Sequence, residues 1–250
     1  MKVSIITVVY NAEKYIQDCI ESVINQTYQD IEYIVIDGAS TDGTLSKIDK
    51  YSSKITHFVS EKDKGIYDAL NKGLKIATGE IVGLLNADDM LASVEVIAEI
   101  VKCFDSQQAD AVYGNLNYVA AENTDKISRI WQSKQFVRRD IETGWMPAHP
   151  TFYAKKELFE KYGNYSLDFG TAADYELMIR FLYRFQIKAV FLDHLLVNMR
   201  AGGVSNSSTK QRYLALKNDY RAMRRNAIPH PLITLLFKKL SKIPQYLHKN

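Results

Sequence analysis

The first 120 residues alternate short apolar runs with segments in which apolar residues recur at helical spacing. Runs this short and this rich in Val and Ile are typical of strands buried on both faces. The predicted strands are Val3–Val9, Glu32–Asp37, Ile55–Ser60, Glu80–Asn86 and Ala111–Val119. Helices are predicted between them over residues 12–26, 44–51, 65–77 and 93–105. Strands that alternate with helices favour an α/β fold with a doubly wound, mostly parallel sheet.

Polar residues follow several of these strands at the point where each strand ends. They are Tyr10-Asn11, Asp37, Lys62-Asp63-Lys64 and the segment Asn86 to Asp89. Ligands of doubly wound sheets bind at the carboxyl ends of the strands. The pattern therefore predicts one site assembled from several separate loops.

The second half of the chain is less regular. It predicts a helix with an acidic start over residues 172–185 and a strand over Val190–Asn198. Loops are expected over residues 145–150 and 200–205. A basic helix over residues 209–226 is followed by a short basic, amphipathic segment, Leu232–Leu247.

The charge is unevenly distributed, although the net charge is only +3. From Lys210 to Asn250 there are ten Lys or Arg and one acid, Asp219, so this tail carries +9 and residues 1–209 carry −6. Such a tail suits phosphate or an anionic membrane surface, and the alternative is a solvated helix face. No nucleic-acid partner is expected.

The two cysteines, Cys19 and Cys103, have no metal-type spacing and imply no disulfide framework. The apolar run Val3–Val9 is too short for a signal peptide, and no stretch reaches the about 20 apolar residues that a membrane span needs. The expectation is a cytoplasmic protein, with peripheral binding to the inner face of the cell membrane as a further hypothesis.

The sharpest chemical signal is Asn86-Ala87-Asp88-Asp89 at the end of a buried strand. Two adjacent carboxylates there are costly unless they bind something. A hard divalent cation often takes one or two carboxylates and fills its remaining positions with phosphate oxygens. The alternative is a solvated turn; the preceding strand and the other acids at the same edge favour a site.

Four segments, in order, resemble family 2 glycosyltransferases with the GT-A fold. They are residues 4–11 (SIITVVYN), 34–44 (IVIDGASTDGT), 77–80 (ATGE) and 85–89 (LNADD), within a resemblance that covers about residues 3–200. It implies a Rossmann-like, mostly parallel central sheet flanked by helices, with a helical basic C-terminal tail. The expected division is a catalytic domain over residues 1–205, with a nucleotide-binding half (1–120) and an acceptor-binding half (121–205), and an extension over 206–250.

The resemblance also implies roles for residues of the donor site. Asp89 matches the acid that binds Mn2+ or Mg2+ at the donor diphosphate, and Asp88 matches the acid near the ribose. The remaining residues expected to bind the donor are Thr7, Val8, Tyr10, Asp37, Lys64, Asn71, Asn86 and Arg200. Asp42 is expected instead to cap the helix that follows it.

On the acceptor side, Asp174 matches the family's catalytic base, which takes the proton of the acceptor hydroxyl. Ala173 stands where the family usually has a Glu, and Glu176 is a weaker candidate for the same role. His149 and Trp145 are weaker candidates for sugar contacts. Arg200 and Gly202-Gly203 are expected to form a flexible loop, with glycines where many relatives carry a metal-binding His.

These observations favour a single-addition enzyme, because the Gln-x-x-Arg-Trp motif of processive synthases is absent. The expected reaction is inverting, metal-dependent transfer of one sugar from a UDP-sugar to an acceptor hydroxyl. The expected acceptor is a saccharide, foremost a lipid-linked one of bacterial surface polysaccharide assembly. The alternative is a catalytically impaired nucleotide-sugar-binding or accessory subunit, which the loss of the acidic neighbour at Ala173 permits.

Overall fold

The computed structural model describes residues 1–202 and 209–240 and contains one central β-sheet. Its strands are β1 (Val3–Val9), β2 (Ile31–Asp37), β3 (His57–Ser60), β4 (Ile81–Asn86), β5 (Met90–Leu91), β6 (Ala111–Ala120), β7 (Asn123–Trp131), β8 (Tyr153–Lys155) and β9 (Ala189–Arg200). Their order is β3-β2-β1-β4-β8-β6-β9-β5, and β7 pairs with the far end of β6 as a hairpin.

Four of the eight strand pairings among the described residues are parallel and four are antiparallel. Strands β1 to β4 form a parallel unit in the order 3-2-1-4, with Val9 opposite Asp37 and Val8 opposite Asn86. The short β8 is antiparallel to both β4 and β6, whereas β6 and β9 are parallel. The carboxyl ends of β1, β2 and β4 consequently meet at one edge, as the sequence predicts.

Helices cover both faces of the sheet. They are α1 (Ile16–Ile24), α2 (Thr44–Asp49), α3 (Ile66–Ile76), α4 (Val96–Gln107), α5 (Arg138–Glu142), α6 (Lys156–Tyr162), α7 (Ala173–Ile179), α8 (Thr209–Arg225) and α9 (Pro231–Leu240). Alternation along β1 builds two cores: Ile5 faces α1 and α4, and Ile6 faces α3 and the helices of the second half. Both side chains are fully buried.

The observed elements confirm the predicted α/β sheet and its flanking helices. Three strands were not predicted, for two reasons. β5 and β8 are two and three residues long, too short to show a period. β7 is mostly polar and exposed, because it pairs only with β6 at the edge of the sheet. The helix predicted over 172–185 is α7 followed by a π-helical turn, Arg180–Arg184.

The basic C-terminal helix packs against the second half of the domain. Ala222 and Met223 of α8 are fully buried in the same core as α7, and Ile228 follows them there. The short segment after it is α9, and residues 241–247 of the predicted amphipathic stretch lie outside the described part of the chain. Within the described residues, no helix combines the length and apolar character needed to cross a membrane.

Candidate active site

Two loops at the carboxyl edge of the sheet are tied together by side chains. Asn11, with a left-handed backbone at φ 48°, accepts the amide of Thr41 on its Oδ1 at 2.8 Å, and its own amide donates to Ser40 Oγ at 2.8 Å. Asp42 accepts the amide of Thr44 at the start of α2, so it acts as the predicted cap. These bonds fix the loop after β1 against the loop after β2.

The aspartate pair lies in the turn between β4 and β5. Asp89 is 1% exposed; one oxygen, Oδ2, accepts a 2.8 Å hydrogen bond from Asn86, and the other, Oδ1, has no partner. Asp88 is half-buried beside it. Burial and then the charge of Asp88 raise the pKa of Asp89 to about 8, and burial also raises the pKa of Asp88.

This pair fits a divalent cation by its chemistry. A buried carboxylate oxygen without a partner is costly, and a cation would satisfy it while favouring the ionised form of both acids. Among the described residues, no three His, Cys, Asp or Glu side chains are grouped to hold a metal alone. The remaining ligands would therefore be water or oxygens of a bound phosphate, as is usual for Mg2+.

Arg200 lies beside the aspartate pair at the end of β9. Its side chain is 5% exposed, its Nη1 donates to the backbone oxygen of Asp88 at 3.0 Å, and its Nη2 pairs with Asp18. The guanidinium also lies 4.7 Å from the ring centre of Tyr15. Arg200 is thus held in the framework of the site rather than in a flexible loop; its contact with the donor stays a prediction. Gly203 lies outside the described residues.

Asp174 stands at the start of α7 in a partly buried group of polar side chains. Its charge acts on the phenols of Tyr67 and Tyr165 and on His149. The Tyr67 hydroxyl donates to the backbone oxygen of Thr171 at 3.4 Å. The hydroxyl of Tyr165 is 2.8 Å from His149 Nε2. Burial lowers the pKa of His149 and the Asp174 charge opposes that shift only in part, so the imidazole is neutral at pH 7.

Asn71 of α3 holds this group in place. Its Nδ2 donates to the backbone oxygen of Tyr165 at 2.9 Å, and its Oδ1 accepts the Tyr165 amide at 3.0 Å. Tyr67, one turn earlier on the same helix, stacks on the Tyr165 ring at 5.5 Å. The side chain of Asn71 therefore joins the two halves of the domain, and a contact with the donor, as predicted, would require it to leave these bonds.

Two residues predicted at the nucleobase edge are buried in the framework. Thr7 is fully buried and its Oγ1 lies 3.1 Å from the Tyr33 hydroxyl. Asp37 is also fully buried, and its carboxylate accepts the Ser60 hydroxyl at 2.6 Å and the Ser40 amide at 3.1 Å. Both side chains order the edge; direct contact of either with a base remains a prediction.

The open part of this edge is formed by Tyr10, Gly38 and the turn after β3. Tyr10 is 63% exposed, and Val8 beside it is 7% exposed. A Cβ at Gly38 would stand 2.5 Å from Asp63 Oδ2 and 3.4 Å from the Tyr10 ring, so a side chain there would displace the Asp63 carboxylate. Lys64 is exposed in the same turn. This surface is where a planar base could stack.

Two acceptor-side candidates have packing partners. Trp145 is half-buried and stacks on Phe136 at 6.4 Å, with Tyr113 edge-on at 6.1 Å, so one of its faces is already covered. Glu176 is 1% exposed and forms a buried ion pair with Arg180 at 2.9 Å. Glu176 is therefore engaged in an ion pair, and the role of Asp174 as the base stays a prediction.

Sequence reasoning did not single out Tyr67 or Tyr165. Tyr67 precedes Asn71 by four residues, which places both on one helix face. That spacing was the one sequence feature that could have indicated Tyr67 as part of the site. Tyr165 joins the site only through contacts across 94 residues of sequence, which no local pattern records.

Comparisons with known proteins identify the family and the fold. The family model described as glycosyl transferase family 2 matches residues 4–170. A PGL/p-HBAD biosynthesis glycosyltransferase of Mycobacterium bovis is 26% identical over 223 residues, which cover 84% of this chain and 82% of the relative.

Solved structures share the fold. S. aureus TarS superposes with a TM-score of 0.68 at 22% identity over 91% of this chain, and the chain spans 39% of the TarS chain. The mannosyltransferase PcManGT from Pyrobaculum calidifontis superposes with a TM-score of 0.64 at 19% identity over 100% of this chain and 76% of that protein. The match of the family model over most of the chain, together with the GT-A-like fold of these structures, identifies the chain as a member of glycosyl transferase family 2 and as a glycosyltransferase.

Proposed function

We propose that this enzyme transfers one sugar from a UDP-sugar to an acceptor hydroxyl, with inversion at the anomeric carbon and with Mn2+ or Mg2+ bound at the donor diphosphate. The observation that carries the proposal is Asp89, a buried carboxylate with an unpartnered oxygen beside a second carboxylate. Asp89 would hold the cation, and Asp88 would contact the ribose. When bound, the cation neutralises charge on the diphosphate.

Asp174 is the base of this reaction. Its carboxylate takes the proton of the acceptor hydroxyl while the hydroxyl oxygen forms a bond to the anomeric carbon. The bond from that carbon to the diphosphate oxygen breaks, and its electron pair leaves with UDP. A single displacement of this kind inverts the configuration at the carbon.

The surroundings of Asp174 support this role. Neutral His149 and the phenols of Tyr67 and Tyr165 lie within electrostatic reach of the carboxylate and supply no competing positive charge. The carboxylate accepts the Tyr175 amide at 2.7 Å, which holds it at the start of α7 although its neighbour in the chain, Ala173, has no carboxylate.

The choice of a UDP-sugar is supported by structures of the same fold. S. aureus TarS 1–349 was solved with UDP-GlcNAc, whereas PcManGT was solved with GDP-Man and Mn2+. The proposed acceptor is a lipid-linked saccharide of bacterial surface polysaccharide assembly. The basic C-terminal segment supports this choice, since it would hold the enzyme, in the cytoplasm, at the inner face of the membrane.

A panel of UDP- and GDP-sugars tests the proposal. We expect one UDP-sugar to raise the melting temperature and to release UDP slowly by hydrolysis, both only with Mn2+ or Mg2+. A shift without UDP release, with acceptor extracts present, would favour a binding or accessory subunit. Neither a shift nor UDP release with any donor would contradict the proposal.

A further inference from the structure

The helix α9 turns two polar side chains inward and four large apolar side chains outward, and Leu235 packs inward against the core. Thr234 is 1% exposed and donates to the backbone oxygen of Glu142 at 2.7 Å, and Lys238, also turned inward, pairs with Asp219 at 2.8 Å. Four large apolar side chains point outward instead: Leu232 (70% exposed), Ile233 (54%), Leu236 (58%) and Phe237 (46%). We call these four residues the α9 apolar face.

This orientation is fixed by the body of the protein. Thr234 and Lys238 are one turn apart and both find polar partners beneath the helix, so rotating α9 would leave those partners unsatisfied. At Gly144, with φ +84°, a Cβ would stand 2.6 Å from the Lys238 Cβ, which shows how closely α9 approaches the chain below. Contiguous exposed apolar residues on a fixed helix mark a contact surface.

We propose that the α9 apolar face docks on an anionic lipid bilayer. The positive charge around this face favours a bilayer over a second copy of the chain as its binding partner. The neighbouring helices α5 and α8 carry exposed arginines, Arg138, Arg139, Arg224 and Arg225. The described residues 210–240 carry +7 from eight Lys or Arg and one acid, so two copies placed face to face would repel each other, whereas an anionic surface would attract each one. A helix of this composition lies in the headgroup region with its apolar face inserted.

The same helix contacts the residue that follows the candidate base in the chain. Lys238 Nζ is 3.2 Å from the ring centre of Tyr175, which follows Asp174 in the first turn of α7. A bilayer on the α9 apolar face would thus support the acceptor side of the site. The docking supplies a contact surface for the membrane placement in the proposed function, and the second step, presentation of a membrane-held acceptor to Asp174, rests on that function.

Flotation of the full chain with vesicles tests the docking. We expect binding to phosphatidylcholine mixed with phosphatidylglycerol, weakened by added salt, and no binding to pure phosphatidylcholine. The variant Ile233→Ser/Leu236→Ser/Phe237→Ser should bind about 100-fold more weakly, since each half-buried apolar side chain contributes severalfold to partitioning. Because these side chains are exposed, the variant should keep its melting temperature.

The matched control is Phe58→Ser/Val94→Ser, which removes two side chains of similar exposure (47% and 44%) elsewhere on the surface. It should float like the unaltered protein. Equal flotation of the triple variant, or no flotation of the unaltered protein, would overturn the docking. So would a dimer, measured by light scattering, that the triple variant converts to monomers.

Release of UDP from a soluble donor separates the two proposals. The triple variant should retain it at the unaltered rate, since none of the three residues lies in the donor site. Vesicle binding without any UDP-sugar turnover would contradict the proposed sugar transfer but not the docking. Turnover without vesicle binding would contradict the docking but not the sugar transfer.

Discussion

Glu32→Gln tests how the sheet is fastened at the edge opposite the active site. Glu32 is 1% exposed, and its carboxylate accepts Ser4 Oγ at 2.5 Å, the Thr78 amide at 2.7 Å, the Thr78 hydroxyl at 2.6 Å and Lys2 Nζ at 3.1 Å. Burial acts to raise the pKa of Glu32, but these bonds outweigh it and lower the pKa from 4.5 to about 2. An amide cannot accept all four donors.

The pKa shift sets the size of the effect. The lowering of the Glu32 pKa from 4.5 to about 2 corresponds to about 3.5 kcal/mol of folding stability at neutral pH. Lys2 is partly solvated, so we expect Glu32→Gln to lose about 2–3 kcal/mol, or about 5–10 °C in melting temperature for a chain of this size. Because the folded pKa lies below the unfolded one, this stability is present above about pH 4.5 and is lost as the pH falls toward 2.

Urea unfolding followed by tryptophan fluorescence at pH 7, 5 and 3.5 measures the difference. The difference should be full at pH 7 and shrink at pH 3.5. The control Glu160→Gln removes an exposed acid, paired with Lys156, and should change stability by less than about 0.5 kcal/mol. An equal effect of Glu32→Gln at every pH, or no effect, would refute the reasoning.

Three further substitutions test the site. Asp89→Asn should abolish the stabilisation by Mn2+ without lowering the melting temperature of the metal-free protein, since it removes a buried charge; a retained Mn2+ shift would exclude Asp89 as the ligand. Asn71→Ala should cost about 2–3 kcal/mol in urea unfolding, because it removes both bonds that hold the backbone of Tyr165; a neutral result would show that the two halves are not joined there. Tyr67→Phe keeps the stacked ring but loses the hydroxyl next to Asp174, so steady-state kinetics should show kcat about tenfold lower with an unchanged donor KM; an unchanged kcat would remove Tyr67 from the reaction.

The sheet and the aspartate pair could be predicted because their signals are local. The β-branched runs mark the strands, and the order of parallel strands places Asp88 and Asp89 at a binding edge whatever the rest of the chain does. Asp42 as a cap likewise depends only on the residues that follow it.

The contacts in the second half of the chain could not be predicted, because they join residues that are far apart in the sequence. The sequence around Arg200 predicts a glycine-rich loop. In the structure Arg200 is held at the end of β9 by an ion pair with Asp18, 182 residues away in the chain. The sequence also predicts an amphipathic end at α9, but which face turns outward depends on Glu142 and Asp219 beneath it. Periodicity alone would have turned the apolar side inward.

The role of Asp174 as the base is tested most directly by comparing the Asp174→Asn variant with the unaltered enzyme. Asp174→Asn keeps the size and shape of the side chain but cannot take the proton of the acceptor. Sugar transfer should fall at least about 100-fold, the usual contribution of a general base, while the Kd for UDP with Mn2+, measured by calorimetry, stays unchanged. Transfer within a few fold of the unaltered enzyme would contradict the account.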